Sequence, residues 1–342
     1  MIHADVLVIG AGPCGLFQVF ELGLLGLSAV VVEALPQPGG QCTELYPQKP
    51  IYDIPAIPEI TGANLTHNLL QQIAPFHADF CYGERLIDLV AQQNRFRLGT
   101  DKGTEFDVGA VVIAAGAGAF QPVRLRHEGI ERFENQQLFY SIRDRAAFRD
   151  QRLVVLGGGD SALDWTLALA PQARSLVLVH RSERFRAQPA LVEQMRALCD
   201  QGVMRSVAGR ALDYRESGGR LSALQLADAG GQTQWLEFDS LLVFFGMVPN
   251  PGPLLKWGLE MEANLVRVDT ERFETSLPGV FAVGDINSYP GKKKLILSGF
   301  HEAALAAFAI KARLDPGKKV HLQYTTTSPL LRRRLGVDPA VK

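Results

Sequence analysis

Two glycine-rich turns and one acid carry the chemistry legible in this chain. Gly10-Ala11-Gly12-Pro13-Cys14-Gly15 follows an apolar run at residues 6–9, and a helical stretch continues over residues 13–25. In a strand–turn–helix unit, Gly10 permits the tight turn and Gly12 lets the backbone approach a pyrophosphate. Gly15 lets the helix pack close to the strand, and Pro13 opens a helix whose N-terminus holds the phosphate charge. A β-branched strand at residues 29–32 ends at Glu33, 21 residues after Gly12, where an acid accepts ribose hydroxyls. The pattern returns as Gly157-Gly158-Gly159-Asp160-Ser161-Ala162, after a strand at 153–156 and before a helix to about 169 and a strand at 175–179. From Gly10 to Glu33 is 23 residues, and from Gly157 to His180 is also 23. The place of the acid is therefore taken by His180, with Arg181, Arg184 and Arg186 close behind. Losing the acid and gaining cations accommodates a 2′-phosphate. The first turn suits an unphosphorylated adenosine ribose, the second NADPH.

Two further apolar strands end in glycine. Residues 111–113 run into Ala114-Ala115-Gly116, a return toward the first turn, and residues 280–283 run into Gly284-Asp285. A carboxylate just past a core strand packs poorly but suits a sugar or ribitol hydroxyl; it also suits a helix N-cap. The alanine-rich stretch 295–314 reads as a helix closing the first unit from the far end of the chain.

The elements around these motifs make an α/β protein of two Rossmann-like dinucleotide-binding domains, one inserted into the other. Residues 1–116 and 247–342 form the first, a discontinuous domain of the three-layer ββα type that suits the unphosphorylated ribose; residues 117–246 form the NADPH-binding domain. The length of 342 residues suits about two domains. With 35 basic and 36 acidic residues the chain lacks the broad basic surface of a nucleic-acid binder. No stretch approaches the apolar length of a membrane span. The N-terminus has no basic segment or cleavage site, which implies a cytoplasmic protein. The four cysteines, Cys14, Cys42, Cys81 and Cys199, make no CxxC and no metal-ligand spacing, so free thiols and no metal are expected.

The chain resembles the two-dinucleotide-binding flavoprotein oxidoreductases over nearly its whole length. Its glycine motifs, Glu33, Ala114-Ala115-Gly116 and the stretch to Asp285 carry the likeness. His180-Arg181-Ser182-Glu183-Arg184-Phe185-Arg186-Ala187 is similar to the HRRxxFRA of thioredoxin reductases. Their redox CxxC is missing: the equivalent stretch reads Leu138-Phe139-Tyr140-Ser141-Ile142-Arg143-Asp144. A dithiol is needed to pass two electrons to a disulfide. Gly39-Gly40-Gln41-Cys42-Thr43-Glu44-Leu45-Tyr46-Pro47, Gly116-Ala117-Gly118-Ala119-Phe120 and a C-terminal extension around Tyr324-Thr325-Thr326 look instead like thioredoxin-reductase-like ferredoxin–NADP reductases.

That resemblance implies FAD and NADPH as cofactors, a homodimer, and ferredoxin or flavodoxin as a transient electron partner. NADPH would pass a hydride to the flavin, which would release single electrons. It implies FAD contacts at Gly10, Gly12, Pro13, Gly15, Glu33, Gly40, Gln41, Tyr46, Leu86, Ala115, Gly116, Phe120, Gly284, Asp285 and Thr326. NADPH contacts fall at Gly157, Gly159, Asp160, Ser161, His180, Arg181 and Arg186. Tyr46 and Tyr324 offer flat aromatic faces to either side of the flavin ring, and an aromatic there would have to move before the nicotinamide could approach. No acid–base residue is expected. Lys292-Lys293-Lys294 and Arg332-Arg333-Arg334 are candidate docking runs for an acidic partner. Three alternatives stay open: a low-molecular-weight disulfide reductase working through one cysteine, with Cys14 the candidate; an NADPH oxidase or flavin reductase; and a non-catalytic redox sensor.

Overall fold

In the computed structural model, which describes residues 1–116, 118, 121–142, 144–248 and 252–337, the chain forms two compact units. One comprises Met1–Ala119 with Pro249–Lys342, the other Phe120–Val248.

The first unit is built on a seven-stranded sheet. Strand β1 (Ile2–Ile9) leads through the first glycine turn into α1 (Pro13–Leu24), which returns to β2 (Ala29–Glu33). Helix α2 (Gly62–Ile73) precedes β3 (Asp79–Tyr82), and a meander follows of β4 (Leu86–Gln92), β5 (Arg95–Thr100) and β6 (Glu105–Ile113). Strands β3, β2, β1 and β6 lie parallel in that order. The N-terminal half of β6 pairs antiparallel with β5, which carries β4 at the edge.

The side-chain alternation of β1 explains why both faces are covered. Val6 and Val8 enter one apolar cluster with Leu16, Val19 and Leu22 of α1 and Leu65 and Leu69 of α2. Leu7 enters another, with Phe96 and Leu98 of β5. A parallel strand buried on both faces is apolar at every position, as residues 6–9 are.

The second unit repeats the plan. Its strands are β7 (Leu138–Phe139), β8 (Arg152–Gly157), β9 (Ser175–His180), β10 (Arg205–Ala208) and, late in the unit, β14 (Ser240–Phe244). They form an all-parallel sheet in the order β7-β14-β8-β9-β10. Helices α3 (Asp160–Leu169) and α4 (Pro189–Asp200) cover one face, where Val155 and Leu178 meet Leu163 and Met195. An antiparallel sheet of β11 (Arg210–Ser217), β12 (Arg220–Ala227) and β13 (Thr233–Glu237) covers the other, where Val154 and Leu156 meet Leu224 and Leu226. Each sheet of this kind thus has helices on one side and strands on the other, a ββα arrangement.

The chain then returns to the first unit. Strand β15 (Val280–Ala282) pairs parallel with the C-terminal half of β6, and helix α5 (Ile296–Leu314) packs on α1. A last short helix, α6 (Pro329–Arg334), is capped by Ser328, whose hydroxyl accepts the Leu331 N–H. Among the described residues no helix is long and apolar enough to cross a membrane.

Candidate dinucleotide sites

Both glycine turns are shaped by what a side chain would hit. Gly10 has φ +103°, and a Cβ on it would lie 2.6 Å from the Ala114 carbonyl oxygen; one on Gly15 would lie 1.9 Å from the Gly10 oxygen. Gly12, between them, has nothing within 4 Å of its Cβ position. Gly10 and Gly15 are therefore required by the fold, whereas Gly12 leaves a bare backbone facing open space. Gly12 caps α1 without a side-chain hydrogen bond, so the first-turn N–H groups remain available to an anion. The second turn behaves alike. A Cβ on Gly157 would lie 2.5 Å from the Phe244 oxygen, while Gly159 has open space around it and caps α3 with no side chain. Both cradles fit a pyrophosphate.

Glu33 ends β2 with its carboxylate buried. One oxygen accepts the Ala11 N–H at 2.7 Å and the other the Leu35 N–H at 2.8 Å. Burial pushes its pKa up, and backbone N–H groups of Leu35, Ala11 and Ala34 oppose this. The acid thus braces the glycine turn, and each oxygen keeps a lone pair for a ribose hydroxyl.

Distant segments converge on this turn. The Gly39 N–H donates to Ala11 O at 2.8 Å, and a Cβ on Gly40 would lie 3.1 Å from the Gly12 Cα. From the helical turn Gln41–Glu44, Gln41 Nε2 approaches Asp285 Oδ2 at 3.4 Å, and a Cβ on Gly116 would meet the same Nε2 at 3.5 Å. Tyr46 is half-buried, with its hydroxyl 3.7 Å from Cys42 Sγ and its pKa pushed up, chiefly by burial. Gly10, Gly12, Gly15, Glu33, Gly40, Gln41, Gly116 and Asp285 therefore form one constellation at the C-terminal ends of β1 and β6, where ligands of open α/β sheets sit. Ala115 adjoins it, its Cα being 3.2 Å from the Gly10 Cβ position.

Leu86 is a core residue, packed in the cluster on the meander face with Val30 and Val32 of β2, the strand that Glu33 ends. Tyr324 is 65% exposed, belongs to none of the apolar clusters, and Thr326 is exposed beside it. Phe120, like Ala117, Ala119 and Arg143, lies outside the described residues. Asp285 is not a helix N-cap: the 3₁₀ turn Gly284–Ile286 is capped by Val283.

In the second unit the place of the acid is filled in an unexpected way. His180 stacks on Phe185 with ring centroids 5.2 Å apart, and its imidazole lies under Gly158, 2.4 Å from that residue's Cβ position. Burial pushes its pKa below the usual value, as do the guanidinium groups of Arg181 and Arg186, against a hydrogen bond with the Arg184 backbone. Its charged form is thus disfavoured, and the task of meeting a phosphate falls first to the arginines. The Arg186 N–H donates to Gly158 O at 2.8 Å, and Asp160 Oδ1 accepts the Gln188 N–H at 2.8 Å. These bonds hold the 186–188 segment on the glycine turn. Ser161 and Arg181, Arg184 and Arg186 are exposed, and no described carboxylate pairs with these arginines. Arg184 differs in lining a groove with Glu183, Glu193 and Arg196.

The basic runs are only partly surface. Lys292 is buried against Glu302, its side chain 8% exposed. Arg334 donates to the Leu24 carbonyl at the C-terminus of α1, and Arg332 to the Thr326 carbonyl. Lys293, Lys294 and Arg333 remain exposed. The Lys292–Glu302 pair escapes a reading by motif, yet Glu302 leaves a trace. It falls in the buried helical stripe Gly299, Glu302, Ala303, Ala306, Ala307 and Ile310 of α5, and an acid on an apolar stripe must find a partner.

Cys14 is wedged between α1 and α5: a Cβ on Gly299 would lie 2.2 Å from its Sγ and one on Gly284 3.1 Å. Its pKa is pushed up to about 12, by burial first and then by Asp285 and Glu302. A group whose folded pKa is raised from 9 stabilises fully below pH 9 and loses that contribution as pH climbs toward 12. The native protein should therefore leave Cys14 unmodified by iodoacetamide at pH 8, while denatured protein is alkylated there. Labelling of Cys14 in the native state, read by peptide mass, would contradict this.

Fold and cradles together define a protein of two dinucleotides, and comparison with known proteins agrees. The model of the pyridine nucleotide-disulphide oxidoreductase family matches residues 4–308. The chain is 54% identical over 338 residues to the ferredoxin–NADP reductase 2 of Cupriavidus necator, covering 98% of this chain and 92% of that one. Thioredoxin reductase from Lactococcus lactis superposes with a TM-score of 0.73 at 22% identity, covering 91% of this chain and 99% of that one. Bacillithiol disulfide reductase from Staphylococcus aureus superposes at 0.76 with 16% identity, covering 92% and 100%. At those identities the two structures establish the shared fold. The chain belongs to the pyridine nucleotide-disulphide oxidoreductase family. It is an enzyme, a flavoprotein oxidoreductase that uses FAD and NADPH.

Proposed function

We propose that this enzyme is a ferredoxin–NADP reductase, exchanging electrons between NADPH and a one-electron acceptor such as ferredoxin or flavodoxin. The observation that carries the reading is the lack of a redox dithiol: the sequence has no CxxC, and the pKa of Cys14, the one cysteine in the first glycine turn, is pushed up. A thiol must ionise to attack a disulfide. The name borne by the 54% identical relative supports the same reading.

The unit containing Met1–Ala119 would hold FAD and the unit Phe120–Val248 NADPH. Gly12, Pro13 and the first turn of α1 bind the pyrophosphate, Glu33 the adenosine ribose, and Asp285 with Gln41 the ribityl hydroxyls. Tyr46 stacks on the ring, and the exposed Tyr324 and Thr326 are free to cover a second face. Gly159, Ser161 and the first turn of α3 bind the NADPH pyrophosphate, and Arg181 and Arg186 its 2′-phosphate. Bound FAD supplies the chemistry, accepting a hydride and releasing electrons singly. The residues here bind and orient; none is asked to move a proton. Lys293, Lys294 and Arg333 are the cations of the two basic runs left for an acidic protein partner. A cytoplasmic homodimer completes the reading.

The test is NADPH-driven cytochrome c reduction by the FAD-loaded enzyme, with and without ferredoxin or flavodoxin. Reduction should depend on the added protein, and NADPH should bleach the flavin without releasing new thiols. Turnover with oxygen alone would point to an oxidase, a pair of new thiols per flavin to a disulfide reductase, and an unbleached flavin to a sensor.

A further inference from the structure

The buried pair of Lys292 and Glu302 grips a single residue on both sides. Glu302 Oε2 accepts the Gly284 N–H at 2.7 Å, and Lys292 Nζ donates to the Gly284 carbonyl at 2.9 Å. The two side chains also bond each other, and Glu302 is fully buried. The Asn287 amide donates to Glu302 Oε2 at 2.8 Å and to the Ala282 carbonyl at 2.9 Å, while the Tyr289 hydroxyl donates to Glu302 Oε1 at 2.9 Å. Gly284 has φ +79°, the left-handed region, and Asp285 is the next residue. Cys14 fills the space on its other side.

A buried ion pair is poor value as a source of stability, because apolar residues of similar size often hold a fold as well. What this pair does is fix geometry. Both polar groups of the Gly284 backbone are satisfied by it, and a left-handed glycine held at both ends sets the direction in which the next residue leaves. We infer that Lys292 and Glu302 are positioning residues for FAD: they clamp Gly284 so that the Asp285 carboxylate is aimed at the ribityl chain. The inference rests on the assignment of Asp285 to the ribityl hydroxyls. It moves Lys292 from a docking surface to the interior of the flavin site.

The test compares two probes on the apoprotein, FAD and ADP. Both use the glycine turn and Glu33, and only FAD has a ribityl chain. The double variant Lys292→Met/Glu302→Gln removes the charges together and so leaves no unpaired buried ion. Its FAD dissociation constant, read by flavin fluorescence, should rise on the order of tenfold, while ADP binding stays as in the parent. In an Asp285→Ala background the same double change should add almost nothing, since the clamp would have nothing left to aim. Unchanged FAD affinity, equal weakening of FAD and ADP, or full additivity with Asp285→Ala would each overturn the inference. Asp285→Ala without effect on FAD would instead remove the assignment on which it rests. Should the neutral pair not fold, Lys292→Arg keeps the charge but shifts the donor from the Gly284 carbonyl, and the same FAD-to-ADP comparison decides.

Discussion

A Gly12→Ala variant should fold as the parent does and fail to hold FAD. The Cβ it adds meets no protein atom within 4 Å, so packing and melting temperature of the apoprotein should be unaffected. The space it enters is the space a pyrophosphate needs. Each charge-assisted hydrogen bond from backbone N–H to phosphate contributes about 1.5–3 kcal/mol. Pushing the phosphates off two such donors costs about 3–6 kcal/mol, on the order of 10²- to 10⁴-fold in dissociation constant. The contrast is Gly15→Ala, whose Cβ would fall 1.9 Å from the Gly10 oxygen. There the loss of FAD should come with a lowered melting temperature, because backbone must give way in a close-packed turn. Equilibrium titration of each apoprotein with FAD, beside its thermal melt, separates the two cases. If Gly12→Ala kept parental FAD affinity, the pyrophosphate would have to lie elsewhere.

Replacing Arg181 and Arg186 together by alanine should convert an NADPH enzyme into one nearly indifferent to the 2′-phosphate. Both side chains are exposed, so their contacts are discounted for solvent, to about 1–2 kcal/mol each. The pair then amounts to a loss on the order of 30- to 1,000-fold in kcat/KM for NADPH. NADH has no 2′-phosphate, and its kcat/KM should barely move. The NADPH-specific loss should also shrink at high salt, as an exposed charge contact is screened. Arg184→Ala is the comparison, since Arg184 shares its groove with Glu183 and Glu193 and should matter less. Equal losses with NADPH and NADH would count against the assignment. His180 is a poor substitute for the missing guanidinium groups, because burial disfavours its charged form.

Much of this was open to reading from the chain alone, for a physical reason. A glycine turn between strand and helix is local: its steric demands act between neighbours, and its spacing to the end of the next strand is set by one helix and two connections. Residues 6–33 and 153–180 thus reveal two cradles, one ending in an acid and one in a histidine beside arginines. The missing CxxC is equally plain in one dimension. The strand ends at Ile113 and Ala282 were legible to within a residue because strands buried on both faces are apolar at every position.

Other features were settled only by tertiary structure. Gln41 and Asp285 approach each other across 244 residues, a distance that no spacing rule covers. Lys292-Lys293-Lys294 looks uniform in sequence, because a lysine run is ordinarily solvated. Burying one of the three is tolerable only if a carboxylate meets it in the interior, and Glu302 does so because α5 turns that residue inward. The sequence sets His180 beside three arginines, and only the fold stacks it on Phe185 and brings Gly158 against it. What the residue order determined is the pair of cradles and the absence of a dithiol, which depend on near neighbours and composition. What the fold decided is which charges survive beside those cradles, since the cost of removing a charge from water depends on everything packed around it.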